Sequence, residues 1–536
     1  MDIDKRVYRV IGKWVKCFLP FYLSAFLPLP TWAQENQGIT LSGSIQSDIL
    51  VPRTDSVIGA EKGEDFQTNT YVELMMQSKY VDAGARLEYL DHPLPGYEND
   101  FKGWGVPNFW VKGRLGCAEL TAGTFYEQFG SGLILRTYEE RSLGIDNSLL
   151  GGRLVVTPTR GVTLKALSGR QRCYWSWNKG LVSGADAEVH LNEWIPSLQQ
   201  SGTELMVGAS WVNKYEKQEE VLVPPTYDYK YNFPEFVNAW DVRATLNKGP
   251  WSLLAEYAQK TQDPSYDNDF SYEKGTAVLL SGSFSKKGLS LLLQGKRSEN
   301  MSFRSKRTMM GTSSFINHLP AFTQDQTYAL ASLYPYATQL DGEWAWQAEG
   351  GYNFKRKTAL GGKYGMNVKV NVSHVRWEGV TYYQDLDVQL TRKLSQAFKL
   401  TLMYMNQRYN MSVIEGGEGG MVNSNIFIAD GKYQFSPKVT LRGEMQYLAT
   451  RDDQGDWAYG LLELSLVPHW MLSVSDMYNV GDTHIHYYQA GVTFSAGAHR
   501  LQLGYGRTRA GYNCSGGVCR LVPATCGLTA SYNYSF

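Results

Sequence analysis

The sequence predicts an all-β fold: a transmembrane antiparallel β-barrel of about 22 to 24 strands, with short periplasmic turns and long extracellular loops. Three observations carry this. The chain ends in Leu528-Thr529-Ala530-Ser531-Tyr532-Asn533-Tyr534-Ser535-Phe536, where apolar or aromatic residues alternate with small polar ones. On a strand, such alternation puts one row on each face. The same pattern recurs along the rest of the chain, and the chain opens with the features of an export signal. A sheet in lipid has no water to satisfy its edges, so it must close on itself. An apolar face then meets lipid and a polar face meets the lumen.

The elements follow in order. Lys5, Arg6, Arg9, Lys13 and Lys16 form a basic region, Cys17 to Leu29 is apolar, and Thr31-Trp32-Ala33 supplies the small residues of a cleavage site. Residues 1–33 read as a signal peptide, with Gln34 opening the mature barrel, 34–536. The apolar run of about 13 residues is too short to anchor the chain, since spanning takes roughly 20. Trp14-Val15-Lys16 before Cys17 is not a lipoprotein context. Gln34 leads almost directly into a strand at Ile39-Thr40-Leu41-Ser42-Gly43-Ser44-Ile45-Gln46, which leaves no room for a separate plug domain.

Later strands repeat the pattern. Met366, Val368, Val370 and Val372 share one face, and Asn367, Lys369, Asn371 and Ser373 the other. Leu462-Glu463-Leu464-Ser465-Leu466 and Leu441-Arg442-Gly443-Glu444-Met445-Gln446-Tyr447 alternate likewise. Lys369, Arg442, Glu444 and Glu463 are therefore expected to face the lumen, because a basic residue on the lipid face costs about 2–4 kcal/mol near the midplane. Short turns are read near 80–82, 115–116, 158–161, 248–250, 286–288, 392–393, 436–437, 467–469 and 496–497. Long connections are read at about 52–66, 127–149, 214–235, 261–271, 299–341 and 512–524. An even strand number returns both ends to the periplasm. A propeller would show a repeat of about 40 to 50 residues, and a sandwich would not run uninterrupted for this length.

Composition excludes several functions. The chain has 52 basic and 52 acidic residues; removing the five and two of the signal leaves 47 and 50, without the basic stripe of a nucleic-acid binder. Its 35 Tyr and 15 Trp suit interfacial girdles. No nucleophile elbow, zinc-protease motif or phosphate loop is present, so no enzyme and no cofactor is expected. His484 and His486 read as rim residues on one strand face, and no metal is assigned to them. Cys514 and Cys519, separated by Ser-Gly-Gly-Val, can close a disulfide in an oxidising compartment. Cys117, Cys173 and Cys526 have no evident partner.

The segment 127–149 is the candidate for narrowing the lumen. Leu133, Ile134, Leu135, Leu143 and Ile145 would not be needed in a free surface loop and call for something to pack against. Arg136, Glu139, Glu140, Arg141 and Asp146 could set a constriction field or simply pair with the barrel wall. Segment 299–341 is basic and hydroxyl-rich early (Arg304, Lys306, Arg307, Thr308) and aromatic later (Phe322, Tyr328, Tyr334, Tyr336). It reads as a lid, a mobile surface or a binding loop, and Val223 to Tyr231 reads similarly.

The chain resembles a porin-like family of outer-membrane β-barrel proteins from Bacteroidota. The likeness is carried by Gly43 to Leu50, by Ser78 to Arg86, by the 127–152 loop and by Ala510 to Ala524. It runs over nearly all of the mature chain and implies the compartment, with no catalytic residues. The expectation is an outer-membrane porin or channel for passive or gated passage of polar solutes. The alternative is a non-transporting barrel subunit of an outer-membrane assembly, secretion or nutrient-uptake complex. Expected partners are outer-membrane lipid and lipopolysaccharide, the assembly machinery through the strand ending at Phe536, and a protein docked on the long loops.

Overall fold

The computed structural model describes residues 38–223 and 230–536. The expected signal peptide, 1–33, the expected mature start Gln34, and residues 224–229 of the expected 214–235 connection lie outside them. Each strand pairs antiparallel with the next, from Thr40–Pro52 to Thr525–Ser535, and those two then pair with each other, Ser44 opposite Ser535 and Pro52 opposite Gly527. The result is a closed barrel of 24 strands. Closure leaves no sheet edge to satisfy in lipid.

The alternation sorts the faces. In the strand Phe236–Lys248, Val237, Ala239, Asp241 and Arg243 are buried while Phe236, Trp240 and Val242 are exposed. Leu291 and Leu293, Met445 and Tyr447, and Trp470, Leu472 and Val474 continue the exposed row around the barrel. That row is the lipid-facing belt, with tryptophans and tyrosines among it as an interfacial barrel requires. A large closed barrel with such a belt is an outer-membrane protein. No helix among the described residues is long and apolar enough to cross a membrane.

Both ends of the described barrel lie at the rim of short turns. Two connections there are longer than the sequence suggests. Residues 191–202 form a 3-10 turn, Leu191–Glu193, and a short helix, Pro196–Gln200, and residues 355–365 form an irregular loop. Conversely, one connection at the opposite rim is only Glu378-Gly379, whose φ values of 47° and 84° make the twisted two-residue hairpin turn.

The core lies inside the barrel. Phe129, Leu133, Ile134 and Leu135 of the 126–148 connection join Met301, Phe303, Ile316 and Leu330 of the 300–341 connection in one buried apolar cluster. Ala239, Ala258, Ala277 and Ala345 of the wall are part of it. Small wall residues let the loops approach, and the loops supply the bulk. The 300–341 segment is thus no surface lid: its apolar residues have no shelter except the lumen, and Arg304 and Arg307 are buried with partners.

Candidate solute site in the lumen

The two inserted connections are tied to each other and to the wall. The amide of Arg136 donates to the Ile316 carbonyl (2.8 Å) and that of His318 to the Gly132 carbonyl (3.0 Å). Asn317 Nδ2 donates to the carbonyls of Leu133 (2.9 Å) and Met301 (2.7 Å). Gly132 sits at φ +93°, with Arg136 occupying the space a side chain would take. Burial, with Arg136 and Lys296 nearby, drags His318 down to about 3, so it is neutral at any physiological pH.

Charges brought inward find partners. Arg86 bonds Glu88 (2.7 Å), Glu139 (2.7 Å) and Asp146 (2.5 Å), and Arg172 bonds Glu88 (2.7 Å) and Asp146 (2.6 Å). Arg141 bonds Glu139 (2.7 Å) and Glu73. Around the longer insert, Lys296 meets Glu343 at 2.6 Å with neither side chain exposed, Arg304 meets Asp267 at 2.6 Å and Arg307 meets Glu216 at 3.1 Å.

Of the five residues expected to form a constriction, Glu139, Arg141 and Asp146 are in this ion-pair network. Arg136 lies over the ring of Tyr138, 4.9 Å from its centre, and Glu140 accepts a bond from Ser142 Oγ (2.7 Å). Of the four residues expected on the lumen side, Arg442 bonds Asp430 (3.1 Å) and Glu444, and stands opposite Glu463 in the neighbouring strand. Lys369 is exposed, in the row of buried Asn371 and Ser373. His484 is outside the strand, at φ 54°, and only His486 opens it; both rings stack on Tyr478, and His486 Nδ1 is 2.6 Å from Asp476. Cys514 and Cys519 are bridged, and Cys117, Cys173 and Cys526 are free. Among the described residues no group of three His, Cys, Asp or Glu could hold a metal.

The inserts fill one side of the barrel and leave a cavity of about 930 Å³ along the other, at the seam where the first and last strands meet. It runs from the hairpin Gly511–Ser515/Val518–Val522 down to Ser475 and Gln502, midway along their strands. The disulfide sits in this hairpin, which docks on the longer insert: the Thr338 amide donates to the Gly517 carbonyl (2.9 Å). A side chain at Gly517 (φ +88°) would come within 2.5 Å of Thr338 Oγ1, so glycine permits the contact.

Four arginines and one aspartate line this cavity: Arg141, Arg507, Arg509, Arg520 and Asp48. Arg507 is paired with Asp55 (2.6 Å). Arg520 lies over the Tyr97 ring, 4.5 Å from its centre, and donates through Nη2 to the Ser142 carbonyl (3.0 Å). Its Nε and Nη1 are buried without a hydrogen-bond partner, and burial lowers its pKa. Arg509 lies 5.6 Å from the Trp457 ring centre. Sequence reasoning missed Arg507, Arg509 and Arg520. A cluster of three arginines within fourteen positions before the last strand was the available signal, but nothing in sequence shows which have carboxylate partners.

The family model for "Family of unknown function (DUF6029)" matches residues 14–536, and the chain belongs to that family. No curated protein matches. The fold is similar to that of the P pilus usher (PapC) translocation pore, at 11% identity and TM-score 0.43, over 93% of this chain and 99% of that one. It is also similar to the siderophore receptor PirA from Pseudomonas aeruginosa, at 8% identity and TM-score 0.40, over 94% and 81%. A third similar structure is OccK8 (OprE) from Pseudomonas aeruginosa, at 10% identity and TM-score 0.38, over 82% and 100%. Similarity at this level concerns the fold alone.

Proposed function

We propose that this DUF6029 barrel passes a polar solute along its seam, with the 126–148 and 300–341 inserts as a resident plug that blocks the rest of the lumen. The observation that supports this most is the seam cavity of about 930 Å³, which follows the wall from the loop rim to mid-barrel. Its inner face presents Gln46, Gln489, Gln502, Thr529 and Ser531, side chains suited to a hydrated solute. Arg141 is the member of the expected constriction set that borders this route. Glu139 and Glu73 hold its guanidinium in place, and Asp146 anchors the same insert through Arg86 and Arg172. Pre-paired charges of this kind orient a selective surface without relaxing at each passage.

The buried ion pairs of the plug favour a second reading, a sealed barrel that serves an outer-membrane complex. Single-channel recording on the refolded barrel in a planar bilayer separates the two. The seam route predicts a small steady conductance that Ser531→Trp, which fills the cavity, lowers strongly. A folded barrel with no current, or a current indifferent to Ser531→Trp, overturns the seam route and favours the sealed barrel.

A further inference from the structure

We infer that the seam cavity binds an acidic saccharide, its carboxylate on Arg520 and Arg509 and its hydroxylated rings on the tyrosines and amides around them. The inference rests on the seam being the solute site and names the class of solute.

The charge is the first ground. Arg141 and Arg507 have carboxylate partners, but Arg520 has no carboxylate within ion-pair distance among the described residues, and its Nη2 donates to a neutral carbonyl. A half-buried cation without a counter-ion carries a desolvation cost that an anionic ligand would offset. A carboxylate is the ligand group to which a guanidinium without a counter-ion donates most strongly. Arg509 is a second cation lining the cavity, beside the indole of Trp457 and without a carboxylate in ion-pair contact among the described residues.

The body of the cavity is the second ground. It is far larger than a bare inorganic anion and lies within the ~300–1,000 Å³ range of organic-ligand sites. Tyr459, Tyr487 and Tyr512 line it, while Tyr71 and Tyr97 carry Arg141 and Arg520 on their faces. A tyrosine offers a flat face and a hydroxyl together, which matches a sugar ring with its equatorial hydroxyls. Asp48, held by the Gln46 amide at 2.9 Å, is an acceptor for such hydroxyls and would repel a second carboxylate beside it. Anion and polyol are thus recognised by different side chains of one cavity.

The test is titration calorimetry on the full-length folded barrel in detergent, with trigalacturonate, neutral maltotriose and sodium sulfate as probes. Trigalacturonate should bind, and maltotriose and sulfate should each bind at least about tenfold more weakly. Arg520→Gln and, independently, Arg509→Gln should weaken trigalacturonate about tenfold, and Arg520→Lys should recover part of the loss. Folding of each variant is checked by its heat-dependent gel mobility. Absence of trigalacturonate binding, equal affinity for maltotriose, equal affinity for sulfate, or indifference to both arginine substitutions in folded protein would each overturn the inference. Conductance distinguishes this from failure of the route itself. A current that Ser531→Trp lowers, without saccharide binding, sinks the acidic saccharide and keeps the route. Saccharide binding without current keeps the saccharide site and sinks the route.

Discussion

The plugged wall and the seam wall use the same strand alternation with a different inner face: mixed, buried and partnered on one, polar and open on the other. Along the strands from Thr203–Tyr215 to Val439–Ala449, the outer half of the lumen row is buried against the inserts, with Val212, Ala239, Ala258, Ala345, Ile426 and Leu448 interspersed with polar residues such as Lys214, Lys296, Glu343 and Gln407 that are held in ion pairs or hydrogen bonds. Along the seam, the corresponding row carries Asp48, Gln489, Gln502, Thr529 and Ser531 and borders open space. A lumen-facing polar group therefore stands open to water or solute along the seam, and is tied to a partner on the plugged wall. Where the chain returns to fill its own barrel, the lumen row obeys core rules instead, and charge is admitted only with a partner.

The largest expected effect comes from removing the filling. Replacing 300–341 by a short Gly-Ser turn takes away Met301, Phe303, Ile316 and Leu330 from the core. Planar-bilayer current should rise many-fold in a barrel that still runs as folded on a gel, and selectivity among solutes should fall. Unchanged current after this deletion would show that the inserts do not block the lumen, and the contrast between the two walls would lose its functional meaning.

A smaller effect is expected from a single partner on the plugged side. Lys296 and Glu343 are paired at 2.6 Å with no exposure of either side chain. Glu343→Gln leaves the ammonium buried and unpaired, and breaking such a pair costs about 3–5 kcal/mol. The unfolding midpoint in urea, read from the loss of the folded gel band in lipid micelles, should fall accordingly. A midpoint within error of the parent would mean that water reaches this pair and that the plug is wetter than its packing indicates.

Much of the barrel was legible because its signal is local. Leu441 to Tyr447 alternate residue by residue, and the structure keeps Met445 and Tyr447 on lipid with Glu444 and Gln446 inside. The Glu378-Gly379 hairpin and the helical turn at 191–202 escaped because turn length carries no periodicity. The 300–341 insert was misread for a different reason. Arg304 and Arg307 look like surface residues until Asp267 and Glu216, 37 and 91 positions away, are brought beside them. Leu133-Ile134-Leu135 did announce that 127–149 packs inward, since three consecutive apolar residues need cover whatever the fold. The seam site was illegible because it is defined by what Arg520 lacks, and a missing partner is visible only in three dimensions.

The smallest effect should also have the opposite sign. On the plugged side, deleting a charge strands its partner. On the seam, Arg520→Gln deletes a cation whose Nε and Nη1 bond nothing and whose remaining bond goes to a carbonyl. Burying unsatisfied donors costs roughly 1–3 kcal/mol, but Arg520 also covers the face of Tyr97, and stacking of a cation on an aromatic ring returns about 0.5–1 kcal/mol. The net expectation is an unfolding free energy equal to the parent's or higher by up to ~1 kcal/mol, read as an unchanged or slightly raised urea midpoint. A binding site explains why such a residue persists: groups held ready for a ligand are commonly kept at a cost to stability. If Arg520→Gln instead loses as much stability as Glu343→Gln, then Arg520 is a structural tie between the disulfide hairpin and the 126–148 insert, and the two walls differ less than their inner faces suggest.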